Sequence, residues 1–191
     1  GLVSTPTADI DRKFFVGNSN YPLWISSAQN VYNASPASKV DIAITSKFYN
    51  SNTRELIVNI NSTAMENLTG QYKINVVITE DNLISPQNFY SNCGTPGYVN
   101  NYEHDNVARN MVNGATGENL NSGNVWNSNQ TIPKNIVTTI DPQWNADNCK
   151  IVIFVYKEGT TLNQSEIHQA IQDNVTGTIG VSGNSSKMPE G

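Results

Sequence analysis

The segment KVDIAITSKFYNSNTRELIVNI at residues 39–60, followed by YKINVVITE at residues 72–80, predicts the fold class of this chain. Apolar and polar residues alternate in both halves of the first segment, with apolar residues at Val40, Ile42 and Ile44, then Leu56, Val58 and Ile60. A period of two is typical of half-buried β-strands, and the turn-forming residues 49–52 between the halves predict a hairpin. Since the alternation returns in the second segment, we expect a three-strand meander over residues 39–80.

The rest of the chain contains fewer clear strand signals. Residues 132–140, with Pro133 at the edge, and the nearly continuous apolar run at 150–156 predict two more strands. Residues 163–174 fit both helical and strand spacing. Residues 81–133 are rich in Asn, Gly and Ser, so we expect long loops there, with a short helix or an irregular strand at 102–112.

The composition favours a turn-rich β protein and excludes several function classes. The chain has 191 residues, of which 29 are Asn and only 14% are charged. Asn side chains favour turns, whereas long exposed helices require more Lys, Glu, Arg and Ala. A net charge of -5 argues against a nucleic-acid partner. The longest apolar run, at residues 151–156, is far shorter than the roughly 20 residues of a membrane-spanning helix.

The two cysteines leave two interpretations open. Cys93 and Cys149 form no C-x-x-C motif, so neither a thioredoxin-type redox motif nor a four-ligand zinc site can be built from them. Both lie in or beside polar segments, so they are either one structural disulfide or two separate buried thiols. We predict the disulfide.

Candidate catalytic and metal-binding residues are few. His104 precedes Asp105, but adjacent residues of a strand point to opposite faces, so the pair is not a catalytic dyad and a structural hydrogen bond is expected. The carboxylates in this region, and Asp141 with Asp147, do not follow a calcium-loop pattern. We therefore expect a protein that is not an enzyme and that holds no metal and no cofactor.

Aromatic residues provide the candidate binding site. Aromatic rings have flat apolar faces that stack against sugars and against other rings. Trp126, surrounded by Asn and Ser, is the best candidate for an exposed ring. Trp144, Tyr98 and Tyr102 complete the predicted binding set.

Several segments occur in an order that a known family shares: residues 70–84, 102–109, 149–156 and 166–170, with Gly114 and Gly117 between them. In this order they resemble the 28-kilodalton outer-membrane-protein related family of Bacteroidota-type bacteria. Glu80, His104 and Arg109 are structural motif residues of that resemblance. The family pattern Tyr-x-His-x-His-Val-x-Arg has a second histidine, which is Asn106 in this chain, so a histidine pair for metal or catalysis is absent.

The resemblance implies a mainly β protein, an antiparallel β-sandwich with long loops that is exported to the cell surface or outer membrane. It also implies that residues 166–170 form a strand paired with 151–156. Residues 4–12 resemble the segment around the cis-proline of a thioredoxin-like domain, and residues 24–32 its last helix. We therefore expect a thioredoxin-like remnant at 1–38, a sandwich domain at 39–175 and a tail at 176–191.

Three functions are consistent with these observations. The first is a structural or binding module of the cell surface, acting in adhesion or assembly through a protein, a glycan or further copies of itself. The second is a fragment of a thioredoxin-like redox protein. The third is a carbohydrate-binding accessory module that uses the aromatic residues.

Overall fold

The structure, a computed structural model, describes residues 8–12, 14–16, 23–34, 37–89, 97–161 and 164–178. In chain order the elements are β1 (Ala8–Ile10), β2 (Phe14–Val16), α1 (Trp24–Ala34), β3 (Val40–Tyr49), β4 (Glu55–Ala64), β5 (Leu68–Thr69), β6 (Tyr72–Glu80), β7 (Leu83–Phe89), β8 (Gly97–His104), β9 (Val107–Met111), β10 (Glu118–Asn119), β11 (Val125–Trp126), β12 (Thr131–Thr139), β13 (Cys149–Lys157) and β14 (Ile167–Asn174). A short 3-10 helix at Ala146–Asn148 precedes β13.

Two antiparallel sheets form a sandwich. The first has the order β12-β4-β3, and the second has the order β10-β6-β13-β14, with β9 also paired to β6. Along β4 every second side chain is buried, beginning at Leu56, and the same alternation runs through the first part of β13. The buried side chains of both sheets belong to one hydrophobic core, so the sheets pack face to face. The fold is mainly β, as predicted.

The predicted hairpin of β3 and β4 is confirmed. The third strand of the expected meander, β6, also forms, but the prediction that it pairs next to this hairpin is wrong. β6 pairs with β13, β9 and β10 in the opposite sheet rather than with β4. Between β4 and β6, the two-residue strand β5 pairs with β11, and Gly70 adopts a φ of 98° before β6 begins. Alternation identifies a strand and its buried face but carries no information about its partner.

In the described parts of residues 81–133, which are 81–89 and 97–133, short strands take the place of the expected long loops. These parts contain β7 to β11 and the start of β12. At residues 102–112 the strand alternative is confirmed rather than the helix, since the end of β8 and the whole of β9 lie there. Asn82, Asn106, Asn124 and Asn129 have φ values of 55° to 60° at the turns. Asn tolerates this left-handed conformation, so the asparagines of this region connect strands instead of forming open loops.

The remaining strands and the helix agree with the sequence. β12 and β13 form where they were predicted, and β14 pairs antiparallel with β13, with Ile171 opposite Ile153. α1 also forms as expected. No helix of the described residues is long and apolar enough to cross a membrane.

The N-terminal strands contact the sandwich through their turn. β1 and β2 form an antiparallel pair that turns at Asp11 and Arg12. The guanidinium of Arg12 lies over the rings of Phe154 and Tyr156, at 5.1 and 4.6 Å from their centroids. The Ile167 N–H donates a hydrogen bond of 3.0 Å to the Asp11 carbonyl. The division at 1–38, 39–175 and 176–191 stays a prediction, and the expected cis-proline, Pro6, lies outside the described residues.

Candidate binding surface

A two-stranded ribbon extends the second sheet. β6 continues into β7 and β8 continues into β9, so that β6 with β9 and β7 with β8 are successive parts of one long hairpin. The part formed by β7 and β8, called the ribbon here, contains no buried residue. Within the described residues, β7 and β8 pair with each other and with no further strand. The ribbon therefore exposes both of its faces to solvent.

Two Asp-Asn pairs join the ribbon to the sandwich. The Asn82 N–H donates to Asp105 Oδ1 at 3.0 Å, and the Asn106 N–H donates to Asp81 Oδ1 at 2.8 Å. The two chain segments thus exchange equivalent hydrogen bonds at the junction between the β6–β9 pair and the β7–β8 pair. Lys150 of β13 forms a salt bridge of 2.5 Å with Asp81, and this hydrogen-bonded ion pair, helped by the Asn106 N–H, lowers the pKa of the Asp81 carboxyl. The base of the ribbon is consequently fixed to the sheet.

The ribbon displays apolar and aromatic side chains. Tyr98 and Ile84 are each 59% exposed, and Tyr102 is 37% exposed. The Tyr102 ring lies edge-on to two others, with centroids 5.4 Å from Phe89 and 4.8 Å from His104. These three rings form a continuous row. Exposed apolar surface with few charges is a common property of protein contact sites.

Glu80 and Arg109, which sequence resemblance had selected, meet beside the base of the ribbon. Glu80 is buried, and its Oε2 lies 3.1 Å from Arg109 Nε. Its Oε1 accepts a hydrogen bond of 2.7 Å from the Asn145 N–H. The Arg109 guanidinium lies 5.3 Å from the centroid of the Trp144 ring. These contacts hold the segment before β13 against the start of β9. The third motif residue, His104, lies apart from them on the ribbon.

A cleft lies next to Trp144. It has a volume of about 440 Å³ and is lined by Tyr49, Ser51, Arg54, Trp144, Asn145, Ala146, Asp147 and Thr176. Arg54 holds the lining in place by donating to the carbonyls of Ile140, Asp141 and Trp144 at 3.0, 2.8 and 2.8 Å. The cleft combines aromatic rings with hydroxyl, amide and carboxylate groups.

The structure separates the four predicted binding residues. Tyr98 and Tyr102 lie on the ribbon, and Trp144 lies on the cleft. The expectation that Trp126 is exposed is wrong, because its side chain is 0% exposed in the core. Its ring packs edge-on against Tyr72 at 5.6 Å, and its Nε1–H donates to the Gln130 carbonyl. The polar neighbours of Trp126 lie in turns at the surface, whereas the Trp126 side chain itself is buried in the core.

The structure does not support the predicted disulfide. Cys149 is a buried free thiol, and Cys93 lies outside the described residues. Burial, with the nearby Glu80 carboxylate adding to it, raises the pKa of the Cys149 thiol to about 11. At neutral pH this thiol is protonated and therefore a poor nucleophile.

The remaining titratable candidates have structural partners or lie apart. Asp105 accepts a backbone hydrogen bond at the base of the ribbon. Glu80 and Asp81 are adjacent in the chain, but each forms a salt bridge with a different side chain, Arg109 and Lys150 respectively. In the described part of the chain, no three His, Cys, Asp or Glu side chains are grouped as metal ligands would be.

The fold defines an antiparallel β-sandwich that carries a projecting ribbon. The family model "Outer membrane protein Omp28" matches residues 1–175, and the chain therefore belongs to the Omp28 outer membrane protein family. Its location is accordingly the outer membrane or cell surface. A comparison with curated proteins finds no match.

Two solved structures from Porphyromonas gingivalis are similar to the chain. HBP35 has a TM-score of 0.60 at 8% identity, over 86% of this chain and 49% of HBP35. This chain thus spans about half the length of HBP35, and at this identity the likeness concerns the fold. A domain of the outer membrane lipoprotein Omp28 has a TM-score of 0.46 at 19% identity, over 73% of this chain and 90% of that domain.

Proposed function

We propose that this chain is a non-enzymatic binding module of the cell surface, acting in adhesion or assembly, and that it contacts a protein partner through the ribbon. One observation carries the proposal: β7 and β8 bury none of their residues and display Ile84, Tyr98 and Tyr102 to solvent. An isolated two-stranded hairpin is marginally stable in water. A partner that covers the ribbon would stabilise it.

The chemistry of the ribbon favours a protein surface as the partner. Among the residues of β7 and β8, Glu103 is the one Asp, Glu, Lys or Arg. Tyrosine is enriched in protein interfaces because it buries a large ring at a low cost in side-chain entropy and retains a polar hydroxyl. The outer edges of the ribbon, which no described strand covers, also offer backbone groups for an added strand.

The chemistry-bearing side chains outside the ribbon support a role in binding rather than catalysis. The Glu80 and Asp81 carboxylates are paired with Arg109 and Lys150. The Cys149 thiol is buried and has a raised pKa, which weighs against the alternative of a labile redox pair. Each of these groups contributes to the fold instead of facing an open substrate site.

The proposal is tested with a double ribbon variant, Tyr98→Ser with Tyr102→Ser. Purified protein is immobilised, and its binding to detergent-solubilised outer membranes of a Bacteroidota bacterium is measured by biolayer interferometry. We expect the variant to lose binding at least about tenfold, since truncating a single hot-spot tyrosine costs about 2 kcal/mol and about 1.4 kcal/mol corresponds to a factor of ten. The matched control is Phe48→Ser, because Phe48 is 59% exposed but lies on β3 of the first sheet.

Wild-type protein that binds nothing in these membranes, or a ribbon variant that binds as well as wild type, would contradict the proposal. Analytical ultracentrifugation identifies the partner as a second copy if wild type self-associates and the ribbon variant does not.

We further propose that β1, β2 and α1 are the end of a thioredoxin-like unit. The order of two antiparallel strands and a helix supports this, as do Leu23, Ile25 and Tyr32, which are 53%, 76% and 42% exposed. In a longer form of the protein that carries residues before Gly1, these side chains should become covered and α1 should exchange its amide hydrogens more slowly. Unchanged exchange would contradict this assignment.

A further inference from the structure

We propose that the cleft beside Trp144 binds one or two sugar units of an uncharged glycan. This inference goes beyond the ribbon and is independent of it, since the cleft and the ribbon share no lining residue. The volume of about 440 Å³ falls within the range of roughly 300–1,000 Å³ that is usual for small-ligand sites.

Two aromatic rings line the cleft. Trp144 and Tyr49 both pack partly against the hydrophobic core, and the parts of these side chains that line the cleft supply apolar surface on which the C–H face of a pyranose ring stacks. Trp144 is held in advance of binding. Arg54 binds its carbonyl at 2.8 Å, and Arg109 packs on its ring at 5.3 Å. Arg109 is itself fixed by Glu80. A ring held in this way loses little conformational entropy when a ligand stacks on it.

Polar groups surround the rings. Ser51 and Thr176 contribute hydroxyls, Asn145 an amide and Asp147 a carboxylate. The Asn145 side-chain oxygen accepts from the Asp147 N–H at 3.2 Å, which orients the amide at the rim of the cleft. Hydroxyl, amide and carboxylate groups are the partners that sugar hydroxyls need as both donors and acceptors.

The charges in the cleft favour an uncharged sugar. Among the described residues that line the cleft, Arg54 is the one cation, and its Nε and Nη2 already donate to three carbonyls. The Asp147 carboxylate repels anions, as does the net charge of -5 on the whole chain. A uronic acid is therefore a poorer ligand than a neutral hexose.

The test is saturation-transfer difference NMR with the intact chain and four probes: methyl α-mannoside, methyl β-galactoside, N-acetylglucosamine and glucuronate. We expect transfer to the ring protons of at least one neutral sugar and weaker transfer to glucuronate. Trp144→Ala should abolish the transfer. Asp147→Asn should weaken binding about five- to tenfold, because a hydrogen bond to a charged group is replaced by one to a neutral amide.

Two further variants separate binding from folding. Trp144→Phe keeps a flat ring and should retain transfer, and the ribbon double variant Tyr98→Ser with Tyr102→Ser should bind the sugars as wild type does. The inference is overturned if no neutral sugar receives saturation, if Trp144→Ala and Asp147→Asn both bind like wild type, or if glucuronate binds best. A ribbon variant that loses membrane binding but keeps sugar binding distinguishes this site from the proposed protein contact.

Discussion

Replacing Glu80 by alanine should destabilise the fold by about 2–4 kcal/mol. The side chain of Glu80 is 4% exposed, and the substitution removes both the 3.1 Å ion pair with Arg109 and the 2.7 Å hydrogen bond from the Asn145 N–H. Removing one partner of a fully buried ion pair costs about 3–5 kcal/mol, and the value here is lower because the remaining Arg109 side chain is 28% exposed and partly hydrated.

Urea unfolding followed by tryptophan fluorescence measures this loss. For a domain of this size the slope is about 2 kcal/mol per molar urea, so the midpoint should fall by about 1–2 M at an unchanged slope. A double-mutant cycle with Arg109→Ala should give a coupling free energy of at least about 1 kcal/mol. The control is Glu66→Ala, which removes a 3.6 Å ion pair with Lys39 whose side chains are more than half exposed.

The control variant should change stability by less than about 0.5 kcal/mol, as exposed pairs contribute little. A Glu80→Ala variant that loses less than about 1 kcal/mol, or single changes that add without coupling, would refute the assignment of Glu80 and Arg109 as a pair that holds the Trp144 segment.

Three more predictions concern pH and the turns. The hydrogen-bonded salt bridge with Lys150 lowers the pKa of Asp81 below its ordinary value of 3.8, so the stability that the Asp81 carboxylate contributes is lost as the pH falls from about 4 toward the lowered pKa. In urea unfolding the midpoint of Asp81→Asn should therefore fall less steeply with decreasing pH than that of wild type, and an equal fall in both proteins would contradict this. Burial raises the pKa of Cys149 from 9.0 to about 11, so the stability contributed by its protonated thiol is complete below pH 9 and is lost between pH 9 and 11. The free energy of unfolding of Cys149→Ala should therefore fall less than that of wild type across this range, and an equal fall in both proteins would argue against the buried thiol. Asn82→Gly and Asn106→Gly should leave the free energy of unfolding nearly unchanged, because both residues have a positive φ that glycine adopts readily. Valine at either position should lower that free energy by about 1–2 kcal/mol in thermal or urea unfolding, and a tolerated valine would disprove the left-handed turns.

Local pattern was a sufficient guide to most strands of the sandwich. Five of the eight described strands in the two sheets form where alternating or continuous apolar residues predicted them, namely β3, β4, β6, β12 and β13. The periodicity of a strand is written in adjacent residues, since side chains alternate between faces regardless of which strand lies alongside. The place of β14 required the family resemblance, because residues 163–174 fit two periods.

Pairings between distant segments were not predictable in the same way. β6 looked like the third strand of a meander but joins the opposite sheet, where β13 covers one edge. The ribbon was hidden because its strands lack a buried face and so lack alternation. The exposure expected for Trp126 is wrong for a related reason: its polar neighbours belong to a turn, while β11 pairs with β5 and both Trp126 and its partner Leu68 are buried in the core.

For the candidate sites too, the sequence indicated the residue types but not how these residues are grouped in space. Tyr98, Tyr102 and Trp144 were selected from the sequence as residue types able to bind. The sequence could not assign the tyrosines and the tryptophan to two separate surfaces, nor indicate that Arg54 and Arg109 hold Trp144. The sequence placed Tyr49 only in the predicted turn at residues 49–52, whereas the structure makes it the last residue of β3 and part of the cleft lining.

By itself, the sequence determined a mainly β chain of low charge that is rich in turn-forming asparagines, because composition and period two are local properties. Only the tertiary structure decided which strands share a sheet, that β7 and β8 leave the sandwich as a ribbon, and that Glu80 meets Arg109 beside Trp144. These outcomes depend on burying one common core and on pairing buried charges, and both requirements join residues that are far apart in the chain.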